Sequence, residues 1–519
     1  MTVAAETGAP VRGPGGRPFT PEQTLAVTRR DGPLLVSAGA GSGKTSVLVE
    51  RFVRSVTEDG LRPDQILAIT FTDKAAGELR TRVRERFLEL GRREDARDTE
   101  AAWVSTIHGF CARVLRAHAV PAGLDPSFAV LDEPGARALR GRAFDAALAG
   151  FLGDDRPAPL EVVAAYRPDR LRTMVCDAHE ALRSRGQTRP ALPAPRPADL
   201  GAARAELEAA ARAAQAHLAA ARSLATIGRA REAVARCLEL LDAGGPPPDR
   251  AALAALDARP GVVAELAAPP YGRYRAALEA FSQACRDARA LEPLALVDEL
   301  LGRYADAYAA AKRERSVLDF TDLELGTRDL FATAPGIAEH YASRFERIMV
   351  DEFQDTNPLQ LALLDRLDRD NVFVVGDALQ SIYGFRHADV RGFERRRRRH
   401  EAAGTAVALR TSFRARSEIL STLREAFGDL HGPEQPLLLA GREEPPAGEP
   451  LVELLVVDAP AFGDPGAGGP AGTPAALGAG RPWLAAEARL VAARVRELVD
   501  RGACSPGEVV VLLLSLIHI

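Results

Sequence analysis

The sequence has few cysteines and no long apolar run. Its five cysteines, at positions 111, 176, 237, 285 and 504, form no CxxC pair and have no histidine cluster beside them, which argues against a zinc or iron–sulfur site. We expect free thiols in a reducing compartment. No stretch approaches the roughly 18 apolar residues that cross a membrane, and residues 1–17 lack the apolar core of a signal peptide. The sequence therefore predicts a cytoplasmic protein without a membrane partner.

Lysine is also scarce. Lys44, Lys74 and Lys312 are the only lysines among 67 lysine and arginine residues, so the position of a lysine is informative in this chain. The formal net charge is −4. There is thus no overall basic character, and a nucleic-acid partner would have to be bound by local patches.

The pattern of apolar residues predicts a parallel α/β sheet. Short apolar runs alternate with helical patterns near both ends of a long helical region, which is typical of this fold class. The predicted strands are residues 34–37, 66–71, 103–106, 347–351 and 372–375.

The chain is long enough for roughly three domains at about 150 residues each. Residues 115–313 are rich in alanine, arginine, leucine and glutamate at helical spacing, with proline-rich breaks at 189–197 and 244–248. The predicted organisation is a flexible tail (1–17), a first α/β domain (18–114 and 314–400), an all-helical insertion (115–313) and a partial second α/β domain (401–519) with a Gly/Pro-rich linker (460–482).

A glycine-rich segment follows the first predicted strand and begins a helical pattern. It consists of Ala38, Gly39, Ala40, Gly41, Ser42, Gly43, Lys44 and Thr45. Glycines let backbone N–H groups surround phosphates, and the helix N-terminus adds partial positive charge. We predict an ATP site in which Lys44 neutralises the β- and γ-phosphates and the Thr45 hydroxyl binds Mg²⁺. Ala38 departs from the glycine that usually starts this motif.

The predicted strand at 347–351 is followed by a pair of carboxylates, Asp351 and Glu352. The carboxyl ends of strands in such sheets face the ligand. We predict that Asp351 binds Mg²⁺ and that Glu352 orients and deprotonates the attacking water. One acidic strand end is a weak signal, but together with the phosphate loop it indicates a nucleoside triphosphatase.

More of the sequence matches one family than a general nucleoside triphosphatase requires. Residues 351–357, DEFQDTN, resemble the acidic motif of the UvrD/Rep-type superfamily 1 DNA helicases. Six further stretches resemble motifs of that family in the same order, at 19–23, 70–76, 106–111, 318–323, 376–386 and 411–414. The resemblance covers about residues 19–420, and the helical region matches only as a place-holder.

The resemblance implies roles for individual residues. In the ATP site, Gln23 reads adenine, Gln380 senses the γ-phosphate, and Arg414 reaches the γ-phosphate from a second motor domain. The implied DNA contacts are Phe71, Thr72, His108, Tyr383, Phe385 and Arg386. Stacking of bases on aromatic rings, worth about 1–3 kcal/mol per base, agrees with this set. If their segment is extended, Tyr383 and Phe385 share one face.

The resemblance also implies a fold and an activity. The fold is a RecA-like P-loop NTPase motor domain with a large all-helical insertion and an incomplete second RecA-like domain. The activity is 3′-to-5′ movement on single-stranded or 3′-tailed duplex DNA, driven by ATP with Mg²⁺, in DNA repair or recombination. The length of the insertion resembles the AddA/RecB branch, which implies that the partner is the second subunit of a helicase–nuclease.

Two motifs of the family, V and VI, have no counterpart in this sequence. The resemblance therefore implies a chain cut off before its second motor domain is complete and not competent by itself. Residues 509–514 predict a strand of that domain. Residues 514–519 look like a translated sequencing adaptor rather than protein.

Three other interpretations remain open. The chain could be the helicase subunit of an AddA/RecB-type helicase–nuclease, which the downstream sequence would decide. It could be a nucleotide-dependent DNA-binding module without unwinding activity. It could also be an unrelated P-loop enzyme such as a kinase, and the effect of DNA on ATP hydrolysis would distinguish both from a motor.

Overall fold

A computed structural model describes residues 11–153, 156–194, 199–222, 224–256, 263–431, 438–442, 451–456 and 482–512. The chain forms two compact units. The first comprises Met1–Gly39 and Gly43–Leu409, and the second comprises Ala40–Ser42 and Arg410–Ile519.

The first unit is built on a six-stranded sheet with the order β3-β2-β6-β7-β1-β8. The strands of the chain are β1 Leu34–Ala38, β2 Ile66–Thr70, β3 Trp103–Thr106, β4 Ala129–Val130, β5 Val317–Leu318, β6 Arg347–Val350, β7 Val372–Gly376, β8 Ala406–Leu409, β9 Thr411–Ser412 and β10 Leu439–Ala440. All neighbours in the six-stranded sheet pair in parallel. The predicted parallel α/β sheet is confirmed.

Both faces of this sheet are buried, as expected for parallel strands covered by helices. Leu34 and Val36 point to one hydrophobic core, and Leu35 between them points to the other. The same alternation occurs in β6, where Met349 faces the first core while Ile348 and Val350 face the second. The strands therefore consist almost entirely of apolar residues, which is why sequence patterns reveal them.

Helices cover the sheet and form most of the rest of the described chain. Before the long helical region they are α1 Pro21–Thr28, α2 Lys44–Thr57, α3 Asp73–Glu89, α4 Arg93–Asp98 and α5 Ile107–Ala117. The helical region contains α6 Glu133–Leu152, α7 Pro157–Tyr166, α8 Pro168–Ser184, α9 Leu200–Ala219, α10 Ala225–Ala243, α11 Arg250–Ala254, α12 Ala264–Ala267 and α13 Pro269–Glu314. After it come α14 Phe320–Thr333, α15 Pro335–Arg344, α16 Pro358–Leu367, α17 Val390–Ala402, α18 Ser417–His431 and α19 Pro482–Asp500.

The helical region has two hydrophobic cores of its own, and α13, a helix of 46 residues, contributes to both. Its first half packs with α9 and α10 around Tyr271 and Phe281. Its second half packs with α6, α7 and α8 around Tyr304 and Tyr308. After this long helix, β5 pairs in parallel with β4 in a separate two-stranded sheet.

The structure differs from the sequence prediction at both ends of the first α/β domain. β8 pairs with β1, so the sheet continues to Leu409 rather than ending at residue 400. Residues 11–17 of the predicted flexible tail are held by hydrogen bonds: the Phe19 amide donates to the Val11 carbonyl, and Arg86 donates to the Arg12 carbonyl. The tail's residues 1–10 lie outside the described residues.

In the second unit, β9 and β10 form a two-stranded parallel sheet. The Ser412 hydroxyl donates to the Ala40 carbonyl at 2.9 Å, and the Phe413 amide donates to the Gly41 carbonyl at 2.8 Å. No strand occurs over residues 509–512, where the sequence predicts one. Residues 513–519 and almost all of the predicted linker, residues 460–481, lie outside the described residues.

All five cysteines are free, and Cys111, Cys237 and Cys285 are buried. This agrees with the expectation of isolated thiols. In the described part of the chain, no helix is both long and apolar enough to span a bilayer.

Candidate functional site

The phosphate loop connects β1 to α2, which begins at Lys44. Gly43 precedes the helix with φ +81°, a left-handed conformation that favours glycine. A Cβ atom at this position would lie 2.7 Å from the Nε2 atom of Gln23. Position 43 therefore requires glycine for its backbone angle and for space. Thr45 lies in the first turn of α2, where the backbone N–H groups are available to an anion.

Gln23 lies beside this loop and is 4% exposed. It belongs to the capping box of α1, in which the Thr20 hydroxyl accepts from the Gln23 amide and the Gln23 Oε1 atom accepts from the Thr20 amide. The side chain thus has a structural role that the sequence analysis did not consider. Its reading of adenine stays a prediction.

Lys44 and Glu352, 308 positions apart in the chain, meet at the carboxyl end of the sheet. The Lys44 Nζ atom lies 3.0 Å from Oε2 and 3.1 Å from Oε1 of Glu352. It also donates to Oε1 of Gln380 at 3.3 Å. The structure therefore brings together three of the side chains predicted to act on the γ-phosphate. The Lys44 side chain is only 13% exposed, so its charge is poorly screened by water.

Asp351 and Glu352 adopt distinct conformations at the end of β6. The Asp351 amide continues the sheet by donating to the Ile69 carbonyl, and its Oδ1 atom accepts from the Glu352 amide. Glu352 has φ +48°, a strained backbone for a residue with a side chain. Strain of about 1–3 kcal/mol at one residue is typical of functional sites. Burial raises the pKa of Asp351 to about 6; the Glu352 carboxylate adds to this rise and the Lys44 ammonium opposes it.

Gln354, to which no role was assigned from the sequence, links the acidic motif at 351–357 with the stretch at 376–386. Its side chain is buried, and its Nε2 atom donates to Glu352 at 2.8 Å and to Asp355 at 3.2 Å. Its Oε1 atom accepts from the Asp377 amide at 2.9 Å. The Asp377 carboxylate in turn accepts from Nε2 of Gln380 at 2.6 Å. A chain of hydrogen bonds through Gln354 and Asp377 thus joins Glu352 to Gln380. All four residues belong to stretches that resemble family motifs, but only the structure shows that they are hydrogen-bonded to one another.

The donor set at this site fits Mg²⁺. Asp351 and Glu352 are adjacent carboxylates, and Asp355 is a third, whose pKa is raised to about 6 by burial and then by Glu352. Among the described residues, no group of three His, Cys, Asp or Glu side chains could hold a metal ion by itself. Mg²⁺ usually binds one or two carboxylates together with water and substrate phosphates, and the adjacent carboxylates of Asp351 and Glu352 can supply these.

Arg414, the predicted γ-phosphate contact from the second motor domain, belongs to the second unit. It is exposed and follows β9, and its carbonyl accepts a hydrogen bond from Arg442. Its approach to a nucleotide stays a prediction.

The predicted DNA contacts include a row of aromatic rings. The ring centroids of Phe71 and Tyr383 are 4.5 Å apart, and those of Tyr383 and Phe385 are 5.7 Å apart. Phe385 is 74% exposed, which is unusual for a phenylalanine outside an interface. The segment is not extended as expected, because residues Gly384–Arg386 form a 3-10 turn that still places the rings side by side. The side chain of Arg386 is not among those described.

Thr72 and His108, the other predicted DNA contacts, cap or begin helices at the same end of the sheet. The Thr72 hydroxyl accepts from the Ala75 amide at the start of α3. His108 lies in the first turn of α5, 4.8 Å from the ring of Phe320 between centroids. Phe320 is 48% exposed and was not predicted as a DNA contact, although it lies in the stretch at 318–323 that resembles a family motif. The Nε2 atom of His108 lies 2.9 Å from Oε1 of Glu324, another residue that the sequence analysis did not assign.

A phosphate loop after the first strand of a parallel sheet and an acidic pair after another strand define a P-loop nucleoside triphosphatase. The family model described as "UvrD/REP helicase N-terminal domain" matches residues 19–401, and the chain belongs to that family.

Similar curated proteins are named as the A subunit of an ATP-dependent helicase/nuclease. Those of Geobacillus kaustophilus and Pelotomaculum thermopropionicum are each 30% identical over 94% of this chain. That of Moorella thermoacetica is 30% identical over 95% of the chain. The chain spans less than half of these relatives, namely 45%, 46% and 41% of their lengths.

Proposed function

We propose that this chain is the ATP-binding part of a DNA helicase that moves 3′-to-5′ on single-stranded DNA in repair or recombination. The observation that carries the proposal is the meeting of Lys44, Glu352 and Gln380 at the end of one sheet. The aromatic row of Phe71, Tyr383 and Phe385 in the same unit, in which Phe385 is exposed, supports DNA as the substrate. The five free cysteines of the chain are consistent with a reducing cytoplasm.

The Lys44–Glu352 ion pair is the resting arrangement in this proposal. A γ-phosphate entering the loop competes for the Lys44 ammonium, because a triphosphate carries more negative charge than one carboxylate. Glu352, released from Lys44 but still held by Gln354, then accepts the proton of the attacking water. Mg²⁺, when bound by Asp351 and Thr45, neutralises charge on the phosphates.

Gln380 connects hydrolysis with DNA in the proposal. It contacts Lys44 through Oε1 and Asp377 through Nε2, and Tyr383 follows three residues later. Loss of the γ-phosphate removes a partner of Lys44 and Gln380. The short segment between Gln380 and Tyr383 then transmits the change to the aromatic row. Bases stack on such rings without sequence preference, as a translocating motor requires.

We further propose that the helical region α6–α13 is the accessory insertion of the motor and that the second unit is part of the second motor domain, from which Arg414 acts. The predicted reading of adenine by Gln23 belongs to the same proposal. The relatives' printed name favours a more specific form, in which the chain belongs to a helicase–nuclease and its partner is the second subunit of that complex. A nuclease activity of the full-length protein, assayed on linear duplex DNA, would distinguish this form from a helicase alone.

The Lys44→Ala substitution tests the site. We expect the parent chain to bind a fluorescent ATP analogue and the full-length protein to hydrolyse ATP faster with single-stranded DNA, so hydrolysis is compared in the full-length protein. The variant should lose at least about 100-fold in hydrolysis, the scale seen when one group that stabilises transition-state charge is removed. Arg137→Ala, a change at an arginine whose side chain is 79% exposed on α6, is the control and should behave like the parent. Hydrolysis that survives in Lys44→Ala would contradict the proposed site.

A further inference from the structure

Glu324 is a buried carboxylate outside the ATP site. It lies on α14 and is 1% exposed. A buried carboxylate is strongly destabilising unless donors surround it. Here three side chains point at it: His108 Nε2 at 2.9 Å, Gln360 Nε2 at 2.7 Å and Asn357 Nδ2 at 3.4 Å.

The orientation of the two amide side chains requires an acceptor at position 324. Asn357 and Gln360 form the capping box of α16. The Asn357 Oδ1 atom accepts from the Gln360 amide, and the Gln360 Oε1 atom accepts from the Asn357 amide. Their NH₂ groups must therefore face Glu324, because turning either amide would break the cap. Glutamine at position 324 would keep only one acceptor oxygen, so its own NH₂ group would face at least one of the donors that Glu324 now accepts from.

The capping box begins at Asn357, the last residue of the acidic motif (residues 351–357) of the ATP site. Residues 351–356 lead into Asn357, and the Thr356 carbonyl accepts from the amide of Asp389, which caps α17. A displacement of Asp351 or Glu352 is therefore passed along the backbone to Asn357, which is only a few residues away. Glu324 receives that displacement because it is bonded to both residues of the cap.

The third partner of Glu324 faces solvent. The His108 side chain is 31% exposed, and its ring lies beside the exposed ring of Phe320. One nitrogen of the imidazole is held by Glu324, which fixes the orientation of the ring. The carboxylate thus joins a surface residue of one helix to the segment that follows Glu352.

We infer that Glu324 is a positioning residue that holds His108 for contact with single-stranded DNA and couples this contact to nucleotide binding. The inference rests on the proposed function. It identifies a connection between DNA and ATP that is separate from Gln380 and the aromatic row. Glu324 itself contacts neither ligand, and it acts through His108 on one side and through Asn357 and Gln360 on the other.

The test measures the coupling between the two ligands. The affinity of the 519-residue chain for a fluorescent, non-hydrolysable ATP analogue is determined with and without a saturating oligothymidine strand. The ratio of the two affinities is the coupling factor, which is commonly between about 5 and 150. We expect a factor in this range for the parent chain and a factor near one for Glu324→Gln. The affinity for the analogue without DNA should remain that of the parent.

Matched variants separate positioning from general damage. Glu50 is similarly buried, at 2% exposure, and is paired with Arg54 and Arg86 rather than with His108 or the cap of α16, so Glu50→Gln should keep the coupling factor even if it lowers the melting temperature. Glu324→Asp keeps a carboxylate and should recover part of the coupling. His108→Ala should also abolish it, and combining it with Glu324→Gln should cause no further loss, since both changes break one connection.

Each outcome bears on a different statement. A parent chain that binds neither the analogue nor the oligonucleotide would contradict the proposed function. A parent that binds both without coupling, or a folded Glu324→Gln variant with the parent's factor, would overturn the inference alone. If Glu324→Gln does not fold, His108→Ala decides, and full coupling in that variant would overturn the inference.

Discussion

Gly43 shows how a single residue shapes the phosphate loop. Its φ of +81° and the 2.7 Å that would separate an added Cβ from Gln23 are independent obstacles to any side chain. The first is a matter of backbone strain, worth about 1–2 kcal/mol for a left-handed residue with a side chain. The second displaces a capping residue of α1 toward the core. Both act where the phosphates are predicted to bind.

We therefore expect Gly43→Ala to weaken binding of an ATP analogue by at least about 10-fold, because the loop must shift to relieve the contact with Gln23. Fluorescence titration measures the affinity, and thermal unfolding measures stability. Gly60→Ala is the control: Gly60 has φ +73° but no atom within 4 Å of an added Cβ. Gly60→Ala should lower stability, because its left-handed backbone is strained to a similar degree, and it should leave the affinity for the ATP analogue unchanged. Equal affinities in the two variants would contradict this account.

At the scale of elements, the end of α13 and the start of α14 are joined by buried charges. The Lys312 Nζ atom lies 2.7 Å from Asp319 and 2.5 Å from Asp322, and Arg183 of α8 lies 2.6 Å from Asp322. Burial opposes ionisation of Asp319, but the attraction of Lys312 and Arg183 outweighs it and holds the pKa of this carboxyl well below its usual range. The helical region is thereby tied to the helix that carries Glu324.

Removal of one cation from this cluster should destabilise the first unit. For Lys312→Met we expect a loss of about 3–5 kcal/mol in the free energy of unfolding, because two buried carboxylates lose a partner. Urea unfolding followed by circular dichroism measures the change. Lys74→Met, at an exposed lysine of α3, should change stability by less than about 0.5 kcal/mol. A Lys312→Met protein as stable as the parent would show that the cluster contributes nothing.

At the scale of the whole molecule, one buried histidine makes global stability sensitive to acid. His179 packs against the rings of Tyr304 and Tyr308. Burial, together with the charges of Arg183 and Lys312, lowers the pKa of His179 from 6.5 to about 3. Protons therefore bind the unfolded chain more readily than the folded one. The contribution of neutral His179 to the free energy of unfolding is therefore complete above pH 6.5 and is lost progressively as the pH falls toward 3.

We expect His179→Gln to reduce this acid sensitivity. The urea midpoint of the parent should fall more steeply than that of the variant as the pH decreases below 6.5. Asp351 and Asp355, whose pKa values burial raises to about 6, act in the opposite sense, so the comparison must be between variant and parent. His340→Gln, at an exposed histidine of α15, should keep the parent's slope. Identical slopes in parent and His179→Gln would contradict the assignment.

The local features of the fold and site could be read from the sequence. Strands buried on both faces are continuous apolar runs, so β1, β2, β3, β6 and β7 were all predicted within a residue or two of their bounds. The phosphate loop and the acidic pair are also local, because their chemistry requires particular residues next to one another in the chain. The strand predicted at 509–514 is absent from residues 509–512, the part of it that the structure describes. An apolar run becomes a strand only when a neighbouring strand pairs with it.

What only the tertiary structure decided are the partners that lie far apart in the chain. β8 extends the sheet because it pairs with β1, a partner far away in the chain. Lys44 contacts Glu352 only because the strand order brings β1 and β6 into one sheet. The contacts of Glu324 with His108, Asn357 and Gln360 likewise depend on the tertiary fold. The local motifs indicated the chemical groups of the site, and their resemblance to known motifs indicated the family. Long-range packing decided which groups meet, because a single sequence records neighbours along the chain and not across the sheet.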